Sequence, residues 1–248
     1  MKKFWKIVFK LILILIILVG AGGAALGFYG YKAYQGIMDD FPLNKKVEFI
    51  KDDPDYVSRD DVSKYYLDAV IAVEDHRFYS HGAVDFLGIG RAVFSNIKKN
   101  ELREGGSTLT QQVAKNMYLM NGDGPNDIKT KVRRKLSEVY IAKDLFNTYS
   151  RDEILEFYIN IIYFGDNHYG IKEACSAYLG KDPKDMNLYE AAMMAGIPNA
   201  PSVYAPTVNK DLCKSRQQKV INSMLEYGYI TKEEAENNNQ EFIDKITN

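Results

Sequence analysis

Cysteine and histidine are scarce in this chain: two cysteines, Cys175 and Cys213, and three histidines, His76, His81 and His168. Neither type recurs at a ligand spacing such as CxxC or HExxH, which speaks against a metal site. The two thiols read as buried and free, with a disulfide left open if the domain lies outside the cytoplasm. Excess charge is also lacking, the formal net charge being −1. The whole-molecule field therefore gives no reason to expect a nucleic-acid partner. No GxxxxGK[ST] phosphate loop is present. Internal repeats are absent, strand-like alternation is nearly so, and Asn237 to Asn239 is the one low-complexity patch. Ser95-Asn96-Ile97-Lys98 matches SxxK. It has no KTG to accompany it and no second domain long enough to hold one, so a Ser-Lys acyl-transfer site is discounted.

What is abundant is apolar. Hydrophobic residues make up 46% of the 248 positions, enough for one domain with a real core. Leu11 to Tyr31, LILILIILVGAGGAALGFYGY, carries no charge. At ~1.5 Å per residue it can span the ~30 Å hydrocarbon layer. Lys2, Lys3, Lys6 and Lys10 precede it, which by the positive-inside rule keeps the N-terminus cytoplasmic and the rest on the outer face. Tyr29, Tyr31 and Tyr34 suit the far interface. A cleaved signal peptide is the rival, since Ala21 to Ala25 is rich in small residues. The apolar run continues past that point, which favours an uncleaved, single-pass anchor in the cell membrane. The expected organisation is a cytoplasmic tip and anchor at 1–34, a polar linker with turns at 35–60, and a catalytic domain at 61–248.

Beyond the linker, helical periodicity dominates. Val62, Tyr65, Tyr66, Ala69, Val70 and Val73 share one face of a helix that ends at Glu74. Ser107 is placed to cap a helix running to about Leu119. Ser150 with Glu153, Asn187 with Glu190, and Thr231 with Glu234 have the spacing of capping boxes. Leu212, Arg216, Val220 and Met224 step by four, with Gly228 as a stop. Two polar, glycine-containing segments, Lys98 to Gly106 and Asn121 to Asp127, read as mobile loops flanking the Ser107 helix. Such loops suit a cleft that admits a long substrate, although plain surface loops look the same.

Three stretches could carry chemistry. AVIAVEDHRFYSHG, Ala69 to Gly82, sets Glu74 and Asp75 at the end of an apolar helix among aromatics and histidines. A solvated helix C-terminus is the plain alternative. GGSTLTQQVAKN, Gly105 to Asn116, leads paired glycines into a helix whose first turn carries Ser107, Thr108 and Thr110, a natural anion seat. Gln111, Gln112 and Lys115 follow. In KTKVRRKLSEVYIAKDL, Lys129 to Leu145, the positions Lys131, Arg134, Lys135 and Glu138 fall at i, i+3, i+4 and i+7 and share a helix face. This is either a salt-bridged solvated face or a clamp for a strongly anionic group.

Taken in order, EDHRFYSHG, GGSTLTQQVAKN, RRKLSE, EILEFYINIIYFGDNHYGI and EAAMMAGIPNAPSVYAP resemble the successive motifs of the peptidoglycan glycosyltransferases, glycosyltransferase family 51. These are the polymerising domains of class A penicillin-binding proteins and the monofunctional transglycosylases. The resemblance covers residues from about 62 to 230, and the anchored chain is most similar to the monofunctional type. It implies a mostly α fold, with a lysozyme-like helical lobe, a small hydrophobic jaw near the membrane, and one N-terminal transmembrane helix.

The family implies processive polymerisation of lipid II. Carried over, Glu74 matches the catalytic base, and Asp75, Phe78 and His81 its supporting residues. Thr108, Gln112 and Lys115 match polar substrate contacts, and Arg134 and Lys135 pyrophosphate contacts. Glu138 matches a second essential glutamate. Asn160 and Tyr163 fall in a motif of more structural role. The sequence departs from the pattern at Ala83, at Ser137 and at Tyr204-Ala205-Pro206, none of which touches the two glutamates.

The chemistry implied is removal of a proton from an acceptor hydroxyl while the donor's C1–O bond breaks with inversion to β-1,4. Undecaprenyl pyrophosphate would leave onto Lys115, Arg134 and Lys135. No cofactor is required; a divalent cation, magnesium or manganese, on the pyrophosphate is left open. Expected partners are lipid II, the growing lipid-linked glycan, the bacterial membrane and cell-wall synthesis proteins, with no nucleic acid. A lytic transglycosylase or muramidase and a non-catalytic glycan-binding scaffold are the alternatives.

Overall fold

The computed structural model describes residues 2–99, 106–119, 127–237 and 239–246. Helix α1, Lys2–Asp40, is the one described helix long and apolar enough to cross a membrane, and none of its most apolar window is buried against the protein. It does not give way to a polar linker. After Phe41 and Pro42 the chain enters α2, Leu43–Lys51, whose Val47 and Ile50 are buried. Residues 35–60 are thus largely helical and packed. Polar composition there hid a stripe of Val47, Ile50 and Ile37 that meets the core.

The body is built from α3 (Lys64–Glu74), α4 (Phe86–Lys99), α5 (Leu109–Tyr118), α6 (Ile128–Thr148) and α7 (Arg151–Ile161). A two-stranded antiparallel hairpin, β1 (Tyr163–Gly165) and β2 (His168–Tyr169), leads to α8 (Ile171–Leu179), α9 (Leu188–Gly196) and α10 (Pro201–Tyr204). Then come α11 (Lys210–Glu226), α12 (Lys232–Glu236) and α13 (Glu241–Lys245). The class is mostly α, as the periodicity implies.

Local chemistry fixes most helix starts. Ser150–Glu153, Asn187–Glu190 and Thr231–Glu234 each close a capping box, which satisfies two of the free N–H groups at a helix start. At α5 the cap is Thr108, one residue later than the Ser107 expected. Its hydroxyl accepts from Gln111 N, and the Gln111 side chain accepts from Thr108 N. Gln111 completes the box there, whereas a Ser107 cap would put Thr110 in its place.

Helices α3, α9 and α11 pack on one another, and α5 packs between α6 and α7. The core between them holds Tyr66, Leu109, Ile141, Phe157, Tyr158 and Met224. Helix α4 is different. It is amphipathic, with Phe86, Leu87 and Phe94 exposed. Residues 100–105 and 121–126 lie outside the described residues, and with them nearly all of the two loops expected to be mobile.

Candidate active site

Glu74 is the last residue of α3, and Asp75 breaks the helix with an extended φ of −158°. The apolar face of α3 carries the Glu74 carboxylate inward, leaving its side chain 11% exposed. Gln112 on α5 donates from Nε2 to Glu74 Oε2 at 2.8 Å. The other oxygen, Oε1, is buried and accepts no hydrogen bond from the described residues. Its nearest cation is Arg216, whose guanidinium stands 3.7 Å away, too far for a hydrogen bond. Burial raises the Glu74 pKa above the ordinary glutamate value, and Asp75 adds to the rise; Gln112 and Arg216 oppose it. Behind the carboxylate lie the buried Tyr66 and Tyr158. Burial pushes their phenols well above the usual range, so both stay neutral within reach of its charge.

Arg216 has no signal in the local sequence, where it sits among the charges of KSRQQK on α11. Its position depends on Gly196 at the end of α9. Arg216 Nε donates to the Gly196 carbonyl at 3.2 Å, and a Cβ at Gly196 would lie 2.9 Å from Arg216 Cγ. The glycine in MAGIP therefore makes room for the arginine, and a helix C-terminus is a favourable seat for a cation.

The first-motif residues beside Glu74 are tied into the protein. Asp75 Oδ1 meets His81 Nε2 at 2.7 Å, and Oδ2 accepts from Leu109 N at 3.0 Å. Asp75 thus occupies the N-terminus of α5 that was expected to seat a substrate anion. His81 has its second nitrogen, Nδ1, 2.6 Å from the Gly82 carbonyl. Phe78 is fully buried, with the Arg151 guanidinium 5.5 Å from its ring. Thr108, expected to contact substrate, caps α5 and donates to Ala83 O at 2.7 Å. Asp75, Phe78, His81 and Thr108 therefore hold the turn that presents Glu74. Their side chains are consumed by internal partners.

The second glutamate lies on α6. Glu138 is ion-paired to Lys135, whose Nζ also donates to Ser107 Oγ at 2.8 Å. The pair is lopsided: the Lys135 side chain is 51% exposed and that of Glu138 7%. Burial raises the Glu138 pKa, opposed by Lys135 and by Lys115 on α5. Glu74, Gln112, Lys115, Lys135, Glu138 and Arg216 all line one open groove of about 940 Å³. Tyr227 and His76, stacked with ring centroids 4.1 Å apart, form part of its far wall.

Arg134 does not join them. It lines a separate cavity between α1 and α6. Adjacent helical residues diverge by about 100°, so Lys135 and Arg134 cannot serve one groove equally, and Lys135 is the one that faces it. Asn160, in the fourth motif, binds the backbone of Val57 on both sides, accepting from its N–H at 2.8 Å and donating to its carbonyl at 2.9 Å. Cys175 and Cys213 are free and buried, and burial pushes both thiols up to about 12. Among the described residues no three His, Cys, Asp or Glu side chains gather as a metal set.

The family model described as transglycosylase matches residues 44–225. The chain is 44% identical over 177 residues to penicillin-binding protein 1A of Neisseria flavescens, covering 71% of this chain and 21% of that one. It is 43% identical over 179 residues to penicillin-binding protein 1F of Bacillus subtilis (strain 168), covering 72% and 24% respectively. The chain thus spans roughly a fifth to a quarter of the length of these relatives. Among solved structures, penicillin-binding protein 1A from Haemophilus influenzae shares 24% identity with it. That match covers 73% of this chain and 16% of the other, with a TM-score of 0.41, too low to bear on the argument.

Proposed function

The chain belongs to the transglycosylase family, and from that premise we propose that it is a peptidoglycan glycosyltransferase. It polymerises lipid II into β-1,4-linked glycan with inversion at C1 and release of undecaprenyl pyrophosphate. The observation that carries the proposal is Glu74 Oε1, a buried carboxylate oxygen without a hydrogen-bond donor among the described residues, in the wall of a groove that also holds Lys115 and Lys135. An oxygen left unpaired in this way is costly unless a substrate donor satisfies it.

In the proposed step, Glu74 takes the proton of the acceptor's 4-hydroxyl, and the freed oxygen forms a bond to C1 of the donor sugar. The bond from C1 to the pyrophosphate oxygen breaks on the opposite face, and the leaving group takes the electron pair. Desolvation makes the carboxylate a better base than it would be in water. Gln112 holds one carboxylate oxygen and leaves the other, Oε1, to take the proton. Lys115 and Lys135 meet the negative charge developing on the diphosphate. Glu138 holds Lys135 in position, and Arg216 limits how far burial raises the Glu74 pKa. Arg134 has no part in this step.

Helix α1 anchors the enzyme in the cell membrane, with its N-terminus cytoplasmic and the groove on the outer face, where both substrates are held by their polyprenyl tails. Other cell-wall synthesis proteins are proposed neighbours and enter no step. No step uses a cofactor; adding magnesium or manganese to the assay measures whether a divalent cation shares the pyrophosphate with the lysines.

The test gives purified full-length protein labelled lipid II alone and, separately, finished glycan alone. Growth of polymer from the first supports the proposal. Cleavage of the second would make the protein a muramidase, and inactivity on both would leave a binding role.

A further inference from the structure

The cavity that takes Arg134 away from the groove has a chemistry of its own. It measures about 460 Å³ and lies where the outer end of α1 meets α6. Among the described residues, Lys32, Arg133 and Arg134 line it, against one carboxylate, Asp40, while Ile37 and Leu119 give it an apolar side.

Its position along the anchor is fixed by the packing of α1 on α6. Tyr140 donates to the Gly27 carbonyl at 3.0 Å, and Tyr34 donates to Asp144. At Gly30 the helices come so close that a Cβ would lie 2.5 Å from Leu136 Cβ. Lys32 is the first charge after the uncharged run from Leu11 to Tyr31. If that run fills the hydrocarbon layer, the cavity lies at the level of the lipid headgroups, flanked by Tyr31 and Tyr34 as interfacial aromatics.

Three cations around an amphipathic hollow suit an anionic ligand that also carries an apolar part. Arginine forks and a lysine ammonium match phosphate oxygens. The apolar wall matches the glycerol and the roots of acyl chains. Helix α6 itself separates this cavity from Lys135 and Glu138, which face the groove. An anion seated there would therefore not be the diphosphate at the reacting bond.

We infer that the cavity seats the phosphodiester headgroup of an anionic phospholipid from the leaflet into which α1 emerges, as a resident lipid between the anchor and the catalytic body. This rests on α1 spanning the bilayer.

The experiment uses the full chain in vesicles of equimolar phosphatidylcholine and phosphatidylglycerol. Pelleting with the vesicles reads the anchor independently; a chain left in the supernatant overturns the anchor itself. Mild detergent extraction followed by native mass spectrometry then counts retained lipid. Phosphatidylglycerol is expected to be retained in preference to phosphatidylcholine. The K32A/R133A double variant is expected to retain roughly tenfold less of it, because each cation contributes to attraction of anionic lipid. Asp40→Asn, which removes the carboxylate from the lining, is expected to retain more. Equal retention of the two lipids, an unchanged double variant, or no gain in Asp40→Asn overturns the inference. So does displacement of phosphatidylglycerol by added undecaprenyl pyrophosphate, which would make the cavity part of the substrate path.

Discussion

The groove's two buried glutamates are held in opposite ways. Glu74 is gripped by a neutral amide on one oxygen and left open on the other, with its cation 3.7 Å off. Glu138 has one oxygen, Oε1, in direct contact with an ammonium that is itself half in solvent. Burial raises the pKa of both. The difference lies in what remains available. A carboxylate held by a neutral amide keeps more of the basicity that burial supplies, whereas an ammonium in direct contact favours the charged form and weakens the base. Burial supplies basicity in both places, and the choice of partner decides whether it can be used.

The comparison is broken most directly at Glu74. Glu74→Gln keeps the shape and removes the base, and polymer formation from labelled lipid II is expected to fall about 10²- to 10⁴-fold. A variant as fast as the parent would end the assignment. Next is Lys135→Ala, expected to slow polymerisation about 10- to 100-fold by taking a charge from the leaving group. It also strands Glu138, so the melting temperature should drop. Adding Glu138→Gln should restore the melting temperature without restoring the rate; recovery of both would show that the lysine serves only folding.

A smaller effect is expected from Gln112→Leu. Its amide stabilises the charged form of Glu74, so its loss raises that pKa further. The acidic limb of the rate–pH profile should move to higher pH. A profile displaced downward, or unmoved, would mean that Glu74 does not set the limb. The smallest effect concerns stability. Glu74 has a folded pKa raised above its unfolded value. Its contribution is therefore fully present below the unfolded pKa and is lost as pH rises through the folded one. Glu74→Gln should accordingly melt higher than the parent at neutral pH, with the gap closing in acid. Melting curves across that range check the sign.

Much of this was legible in the sequence where the signal is local. Three capping boxes, the end of α3 at Glu74 and the stop at Gly228, whose φ is +77°, follow from residues a few positions apart. Glu74, Gln112, Lys115, Lys135 and Glu138 are legible in their motifs, and one groove unites them. What failed to show depends on contacts across the chain. Arg216 reaches Glu74 only because Gly196, on another helix, lacks a side chain. Arg134 matches its motif in position, yet the turn of α6 sends it to the α1 side. Thr108, Phe78 and His81 match family positions, and no motif tells a residue that touches substrate from one that holds the turn beneath it. Helix α2 was hidden because its polar composition outweighed two buried positions, Val47 and Ile50.

Helix α1 runs without interruption to Asp40 and is stapled along α6 by Gly27, Gly30 and Tyr34. It is a mast rather than a leash. A catalyst on a mast keeps one working height and cannot swing out to meet its material. Under the proposed reaction, each added disaccharide must then be fed past a stationary machine, and the strand, not the protein, does the travelling.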